Sequence, residues 1–126
     1  PRRISVEGEG EKGQEHIVYR AQIDSNHHLN NSEYINLAYA YLPQHAKVTQ
    51  MRVEYKTAAY LGDTIIPVIY KQNGKIQVQL NDMEMSYIKY SLKHLHRCSL
   101  KFLLQIYTCK LQTKTFLKIQ IFYMKS

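Results

Sequence analysis

One amphipathic helix, followed by strand-like segments and tight turns, most strongly limits the folds open to this chain. The apolar face of the helix repeats at helical spacing and comprises Ile35, Ala38, Tyr39 and Leu42. We expect Asn30 to cap its N-terminus, with Glu33 completing a capping box. Pro43 ends the helix, because a proline disfavours helical geometry at the residue before it.

The rest of the first 85 residues alternates between strand formers and turn formers. Strands are predicted at residues 16–23, 48–57, 64–71 and 75–80. In the first of them, alternation predicts one apolar side, made of Ile17, Tyr19, Ala21 and Ile23. Pro67 predicts an edge or a bulge, and Asn73-Gly74 predicts a hairpin turn. The order of strand, helix and antiparallel meander indicates an α+β fold.

Charge is distributed unevenly along the chain. The net charge is +7, but residues 1–85 hold all ten acidic residues against nine Lys/Arg, whereas residues 86–126 hold eight Lys/Arg and no acid. The basic character therefore belongs to the C-terminal tail, residues 86–126. Binding to RNA or anionic lipid would rest on that tail alone, as a basic amphipathic extension. We predict no nucleic-acid partner and no membrane partner.

Amino-acid usage changes at the same point. Residues 86–126 contain no Asp, Glu, Gly, Ala or Val, the five residues whose codons begin with guanine, although residues 1–85 contain 27 of them. At that rate about 13 would be expected in the tail. Our hypothesis is that the reading frame is lost near Met85, so that this atypical tail is not native to the fold. The alternative is a genuine basic, amphipathic extension that binds anionic lipid or RNA, but its apolar positions are poorly ordered for that, and residues 116–124 read better as a strand.

Residues 24–31, DSNHHLNN, concentrate the polar chemistry of the chain. They supply a carboxylate, two imidazoles and three amides just before the helix. The first N–H groups of a helix lack intrahelical partners and lie at the positive end of its dipole, so they can stabilise a developing oxyanion. Histidine can transfer protons near neutral pH, and aspartate can orient water. The same residue types also serve as ordinary loop and cap residues, and composition alone favours that structural role.

Two blocks of the sequence resemble acyl-acyl carrier protein (ACP) thioesterases. The run DSNHHLNNSEYINLAYAYLP resembles the family signature Asp-x-Asn-x-His-x-Asn-Asn, which is followed by a Tyr-containing helix. The matching positions are Asp24, Asn26, His28, Asn30 and Asn31, followed by Tyr34 and Ile35. A second block at residues 53–65, VEYKTAAYLGDTI, resembles the family strand Tyr-x-x-Glu-Ala followed by Gly-Asp.

The resemblance implies a hot-dog fold, in which a curved antiparallel sheet wraps one long central helix. It covers roughly residues 14–83 and matches the second of two hot-dog repeats. We therefore expect a partial hot-dog domain at 14–85, an inter-repeat linker at 1–13 and the atypical tail at 86–126. A homodimer would have to substitute for the first repeat.

The resemblance also assigns roles to side chains. Asp24 would activate or orient the hydrolytic water, Asn26 would hold the thioester or its partner side chain, and His28 would transfer protons or polarise the carbonyl. The other expected substrate-binding residues are Asn30, Asn31 and Tyr34, and the two asparagines would also cap the helix. The substrate implied is fatty acyl-ACP, and the product is a free fatty acid for lipid metabolism.

One departure from the family concerns the second block. The family carries a catalytic-site Glu there, sometimes followed by a Cys, whereas this chain has Ala58 and Ala59. A Cys–His mechanism is therefore excluded in residues 1–85. The competing interpretation is a hot-dog remnant that binds acyl chains or a partner without catalysis.

Neither a cofactor nor a metal is implied by the two blocks. His94, His96 and Cys98 alternate in the tail, but its biased composition makes coincidence the better explanation. No apolar run reaches the ~18 residues of a membrane span, and no secretory signal opens the chain. We expect a cytoplasmic protein.

Overall fold

Six strands and one α-helix make up the part of the chain that the computed structural model describes, residues 3–6, 8–82 and 115–125. The elements, in chain order, are β1 (Glu11–Lys12), β2 (His16–Ile17), a 3-10 turn (Arg20–Gln22), α1 (Asn31–Tyr39), β3 (Ala46–Tyr55), β4 (Thr64–Gln72), β5 (Lys75–Asp82) and β6 (Thr115–Lys125). This is the α+β arrangement that the sequence predicts.

The strands form one antiparallel sheet in the order β1-β4-β5-β6-β3, with β2 also pairing with β4. The hairpin between β4 and β5 turns at Asn73-Gly74, as predicted, with Gln72 paired to Lys75. Gly74 has a φ of +74°, a backbone conformation that favours glycine. Pro67 lies in β4 between the residues that pair with β2 and those that pair with β1. Each of these two strands has only two residues, so the sheet is interrupted beside Pro67.

The helix packs one face against the inner side of the sheet. Tyr34 and Ala38 are its buried residues. The sheet residues buried in the same core include Ile65, Ile69, Ile76, Val78, Leu80, Phe116, Leu117, Ile119 and Ile121. In β5 they alternate with polar residues, as expected for a strand with one core face, whereas β4 is apolar at the consecutive positions 65–69.

Residues 115–125 belong to the segment predicted as an atypical tail that is not native to the fold. They form β6, which lies between β5 and β3 and pairs with both. Its core-facing side chains are fully buried, which favours the strand interpretation of residues 116–124. The sheet therefore does not end at residue 85. Residues 86–114, including His94, His96 and Cys98, lie outside the described residues.

The N-terminal segment, predicted as a linker at residues 1–13, also contacts the sheet. Glu11–Lys12 pairs with β4. Upstream, Ile4 is only 3% exposed, and its N–H donates to Glu54 Oε2 at 2.8 Å. Its carbonyl oxygen accepts from Lys118 Nζ at 3.3 Å, and Ser5 O accepts from Gln77 Nε2 at 2.8 Å. Residues 3–6 thus cross β3, β6 and β5 on the face turned away from the helix.

The segment predicted as a strand at 16–23 is mostly not one. Only His16–Ile17 pairs with β4, and a 3-10 turn follows. Ile17 and Tyr19 are exposed, whereas Val18 is buried, so the predicted apolar side is the wrong side. The reason is that the backbone leaves the sheet: Val18 N–H donates to Asp63 O, a loop residue, at 2.9 Å.

Candidate active site

The polar segment 24–31 folds as a tight loop closed by its own backbone. Ile23 and Leu29 form an isolated bridge, and Asp24 N–H donates to His28 O at 2.8 Å. The Asp24 carboxylate oxygen Oδ1 accepts from the N–H groups of Asn26, at 2.9 Å, and His28, at 3.2 Å. With one of its two carboxylate oxygens, Asp24 therefore fixes the loop that carries Asn26 and His28, the other two candidate catalytic residues.

His27 lies at the tip of this loop. It is exposed and has a φ of +64°, a left-handed conformation that few non-glycine residues adopt. The cavity described below is not lined by it. His27 therefore lies outside the cavity, although it is the chain neighbour of His28.

Backbone hydrogen bonds join the loop to its surroundings on two sides. Leu29 N–H donates to Ala59 O and Asn30 N–H donates to Gln22 O, both at 2.9 Å. The side chain of Gln22 is buried: its Oε1 accepts from His16 Nε2 at 2.7 Å, and its Nε2 donates to Glu33 Oε2 at 3.1 Å. Glu33 is therefore engaged with Gln22, and the capping box predicted for α1 is not seen.

Asn30 caps the helix as predicted. Its Oδ1 accepts from the backbone N–H of Ser32 at 3.1 Å. It does not line the cavity, so the structure places it at the helix cap and not with the other predicted substrate-binding residues. Asn31 is the first residue of α1 and does line the cavity. The positive end of the helix dipole consequently lies at the cavity wall.

Three predicted catalytic residues come together around one cavity of about 380 Å³. Its walls are formed by Asp24, Asn26, His28, Leu29, Asn31, Tyr34, Tyr55, Lys56, Thr57 and Ala58. The carboxylate, amide and imidazole thus share a cavity with two of the three predicted substrate-binding residues. Leu29 and Tyr55 add apolar wall, as a small-molecule site requires.

Tyr34 connects the helix to the second sequence block. Its side chain is 2% exposed, and its Oη accepts from Ala59 N–H at 2.9 Å. Burial raises the pKa of the Tyr34 hydroxyl above its usual value, so the phenol stays protonated at neutral pH. Its ring meets Tyr55 edge-on, with centroids 6.1 Å apart.

The second block forms the opposite wall. Ala58 lines the cavity at the position where the resemblance places a Glu, so no carboxylate stands there. Sequence reasoning missed Tyr55, Lys56 and Thr57 as cavity residues, although they directly precede Ala58. It also missed Tyr60, whose ring meets the His28 imidazole edge-on at 5.1 Å. The only hint was their position beside the matched block.

Residues 3–6, 8–82 and 115–125 offer neither a metal site nor a membrane-spanning helix. These residues contain no group of three or more His, Cys, Asp or Glu placed to hold a metal ion. No helix formed by them is long and apolar enough to cross a bilayer.

Comparison with known proteins agrees with the fold and with the two blocks. The family model for the acyl-ACP thioesterase C-terminal domain matches residues 7–124. The chain belongs to this family. Among curated proteins, none matches the chain.

Solved structures of thioesterases share the fold. An acyl-ACP thioesterase from Bacteroides thetaiotaomicron VPI-5482 is similar with a TM-score of 0.68 and 14% identity, over 98% of this chain and 41% of the other. The 12:0-ACP thioesterase from Umbellularia californica is similar with a TM-score of 0.64 and 10% identity, over 100% of this chain and 40% of the other. The chain thus spans about two fifths of each enzyme.

A shorter protein has a similar fold over most of its length. It is smu.793 from Streptococcus mutans UA159, bound to acetyl CoA, with a TM-score of 0.58 and 10% identity, over 98% of this chain and 87% of the other. These structures confirm the predicted hot-dog class of fold, an antiparallel sheet with one helix.

Proposed function

We propose that this chain is a thiolester hydrolase that cleaves fatty acyl-ACP and releases the free fatty acid, in the cytoplasm, as a step of fatty acid biosynthesis. The observation that carries the proposal is the shared cavity of Asp24, Asn26 and His28 at the N-terminus of α1. Family membership supports the reaction class, because acyl-ACP thioesterases hydrolyse this bond.

In the proposed reaction, a water oxygen attacks the thioester carbonyl carbon and the carbonyl oxygen becomes an oxyanion. The C–S bond then breaks, and the leaving sulfur takes up a proton. His28 accepts the proton of the attacking water and returns it to the sulfur. Asn26 and the positive end of the α1 dipole at Asn31 stabilise the oxyanion, as groups fixed before the reaction begins.

Asp24 has two tasks in this proposal. Its Oδ1 accepts from the backbone N–H groups of Asn26 and His28, which fixes the backbone that carries both catalytic side chains. Its second carboxylate oxygen is left to orient the water. Asn31 and Tyr34 contribute to substrate binding at the cavity wall, whereas Asn30 contributes through the helix cap.

A second candidate is a hot-dog remnant that binds acyl chains, or only a partner subunit, without turnover. The specific observation in its favour is Ala58, because a methyl group in the cavity wall cannot accept a proton. The proposed enzyme therefore relies on Asp24 and His28 without a further carboxylate from the second block.

We further propose that a second hot-dog unit completes the protein, either a second copy of this chain or another repeat. Within the described sheet, β3 pairs only with β6, so its other edge is open. The thioesterases of similar fold are more than twice as long as the match, which also favours a second unit.

The experiment that tests the proposal is a hydrolysis assay with fatty acyl-ACP on the purified chain, with acetyl-CoA as a second substrate. His28→Asn is the test variant, and His27→Asn is its matched control, because asparagine tolerates the left-handed backbone at that position. The enzyme proposal is supported if turnover falls at least about 100-fold in His28→Asn and stays unchanged in His27→Asn. Acyl binding without turnover in the parent chain supports the remnant.

A further inference from the structure

The second sequence block holds the catalytic loop through the backbone of one residue, Ala59. Its N–H donates to Tyr34 Oη on α1, and its carbonyl oxygen accepts from Leu29 N–H in the loop, both at 2.9 Å. All three residues are buried, with exposed fractions of 2% or less. One peptide segment is therefore fixed between the helix and the residue that follows His28.

The next residue along the block reaches His28 itself. Tyr60 packs its ring against the imidazole, with centroids 5.1 Å apart and planes at 79°. The backbone N–H of Tyr60 donates to Asp63 Oδ2 at 2.8 Å, which fixes the turn that carries the ring. His28 is thus held from two directions, by its own loop and by Tyr60.

We propose that Tyr34 is a positioning residue for His28, acting through Ala59 and Tyr60. The Tyr34 hydroxyl oxygen is the acceptor that satisfies the buried Ala59 N–H. A buried N–H without an acceptor is costly, so the segment would shift to find another partner if that oxygen were absent. Leu29 and Tyr60 would shift with it, because they are attached to Ala59 by a hydrogen bond and by a peptide bond.

The effect on hydrolysis rate rests on the proposed function, whereas the displacement of His28 does not. A small displacement of a proton-transfer group lowers the rate of the chemical step more than substrate binding, because reaction depends on distance and orientation. Tyr34→Phe retains the ring and removes only the oxygen. Tyr39→Phe removes an equivalent hydroxyl from the same helix, where the side chain is partly exposed and outside the cavity.

The test measures the His28 imidazole directly by NMR at fixed pH, with its resonances assigned by their loss in His28→Asn. We expect Tyr34→Phe to shift or broaden these resonances, and Tyr39→Phe to leave them unchanged. In the hydrolysis assay, Tyr34→Phe should lower kcat about 10-fold and change KM less than about twofold. His28 resonances that match those of the parent chain in Tyr34→Phe would overturn the proposal.

A second variant covers the case in which Tyr34→Phe does not fold. Tyr60→Leu removes the ring contact at a half-exposed position and leaves the Ala59 hydrogen bonds in place. It should also shift the His28 resonances, and unchanged resonances would break the link between Ala59 and His28. If the parent chain shows no hydrolysis, the enzyme proposal fails, whereas the NMR comparison still decides the role of Tyr34.

Discussion

Strand β6 and the loop at residues 24–31 are specified in opposite ways. β6 contributes buried apolar side chains such as Leu117 and Ile119 to the core, and any apolar residue of suitable size could serve there. The loop is partly exposed and depends on individual polar atoms, above all Asp24 Oδ1. Packing thus determines whether the sheet forms, and a few hydrogen bonds determine whether the site forms on it.

The largest expected effect tests the packing side of this comparison. Ile119→Ala removes buried methyl groups from a residue that is 0% exposed, so the free energy of unfolding should fall by about 2–5 kcal/mol. Chemical denaturation measures it. Ile17→Ala is the matched control, since Ile17 is 63% exposed and should change stability by less than about 0.5 kcal/mol. Equal stability of the two variants would contradict the placement of β6 in the core.

A change at Asp24 separates loop structure from chemistry. Asp24→Ala removes the acceptor of two backbone N–H groups, so we expect a loss of roughly 1–3 kcal/mol of stability together with all hydrolysis. Asp24→Asn retains an acceptor oxygen and removes the negative charge. It should therefore restore most of the stability and little of the activity. Full activity in Asp24→Asn would limit this residue to holding the loop.

A smaller effect is expected at the helix cap. Asn30→Ala removes the side-chain oxygen that accepts from Ser32 N–H, which should cost about 1 kcal/mol of stability. Because Asn30 does not line the cavity, KM for acyl-ACP should change little. Thermal unfolding and steady-state kinetics measure the two quantities. A large rise in KM with unchanged stability would show that Asn30 binds substrate directly.

The smallest effect is the pH dependence of the stability contributed by Glu54, on the sheet face turned away from the helix. The hydrogen bond from Ile4 N–H, with Lys56 and Lys118 nearby, lowers the pKa of Glu54. A lowered folded-state pKa means that the stabilisation is complete above the unfolded-state pKa of about 4.3 and is lost as pH falls through the folded-state pKa. Glu54→Gln should therefore be less stable than the parent chain at pH 7, by less than about 1 kcal/mol because the site is partly solvated. The two stabilities should converge at low pH.

Local sequence rules predicted the elements whose determinants are neighbours in the chain. The cap at Asn30 and the turn at Asn73-Gly74 depend on residues a few positions apart, and the structure has both. Glu33 was predicted to complete the cap but bonds to Gln22, a distant residue that no local pattern indicates.

Long-range placement was the part that sequence reasoning did not reach. The strand character of residues 116–124 was visible in the sequence, but its position between β5 and β3 depends on partners more than 30 residues away. In the site, the signature indicated Asp24, Asn26 and His28, whereas Tyr60 is brought to His28 only by the fold.

The pairing of β3 with β6 has a consequence during synthesis. Ala46 is paired with Lys125, so β3 leaves the ribosome long before its neighbour does. Until then its backbone groups are unpaired and can associate with other nascent chains. Contacts so distant in sequence also slow folding. We therefore expect the yield of soluble protein to depend on translation speed and on chaperones that shield exposed strand edges.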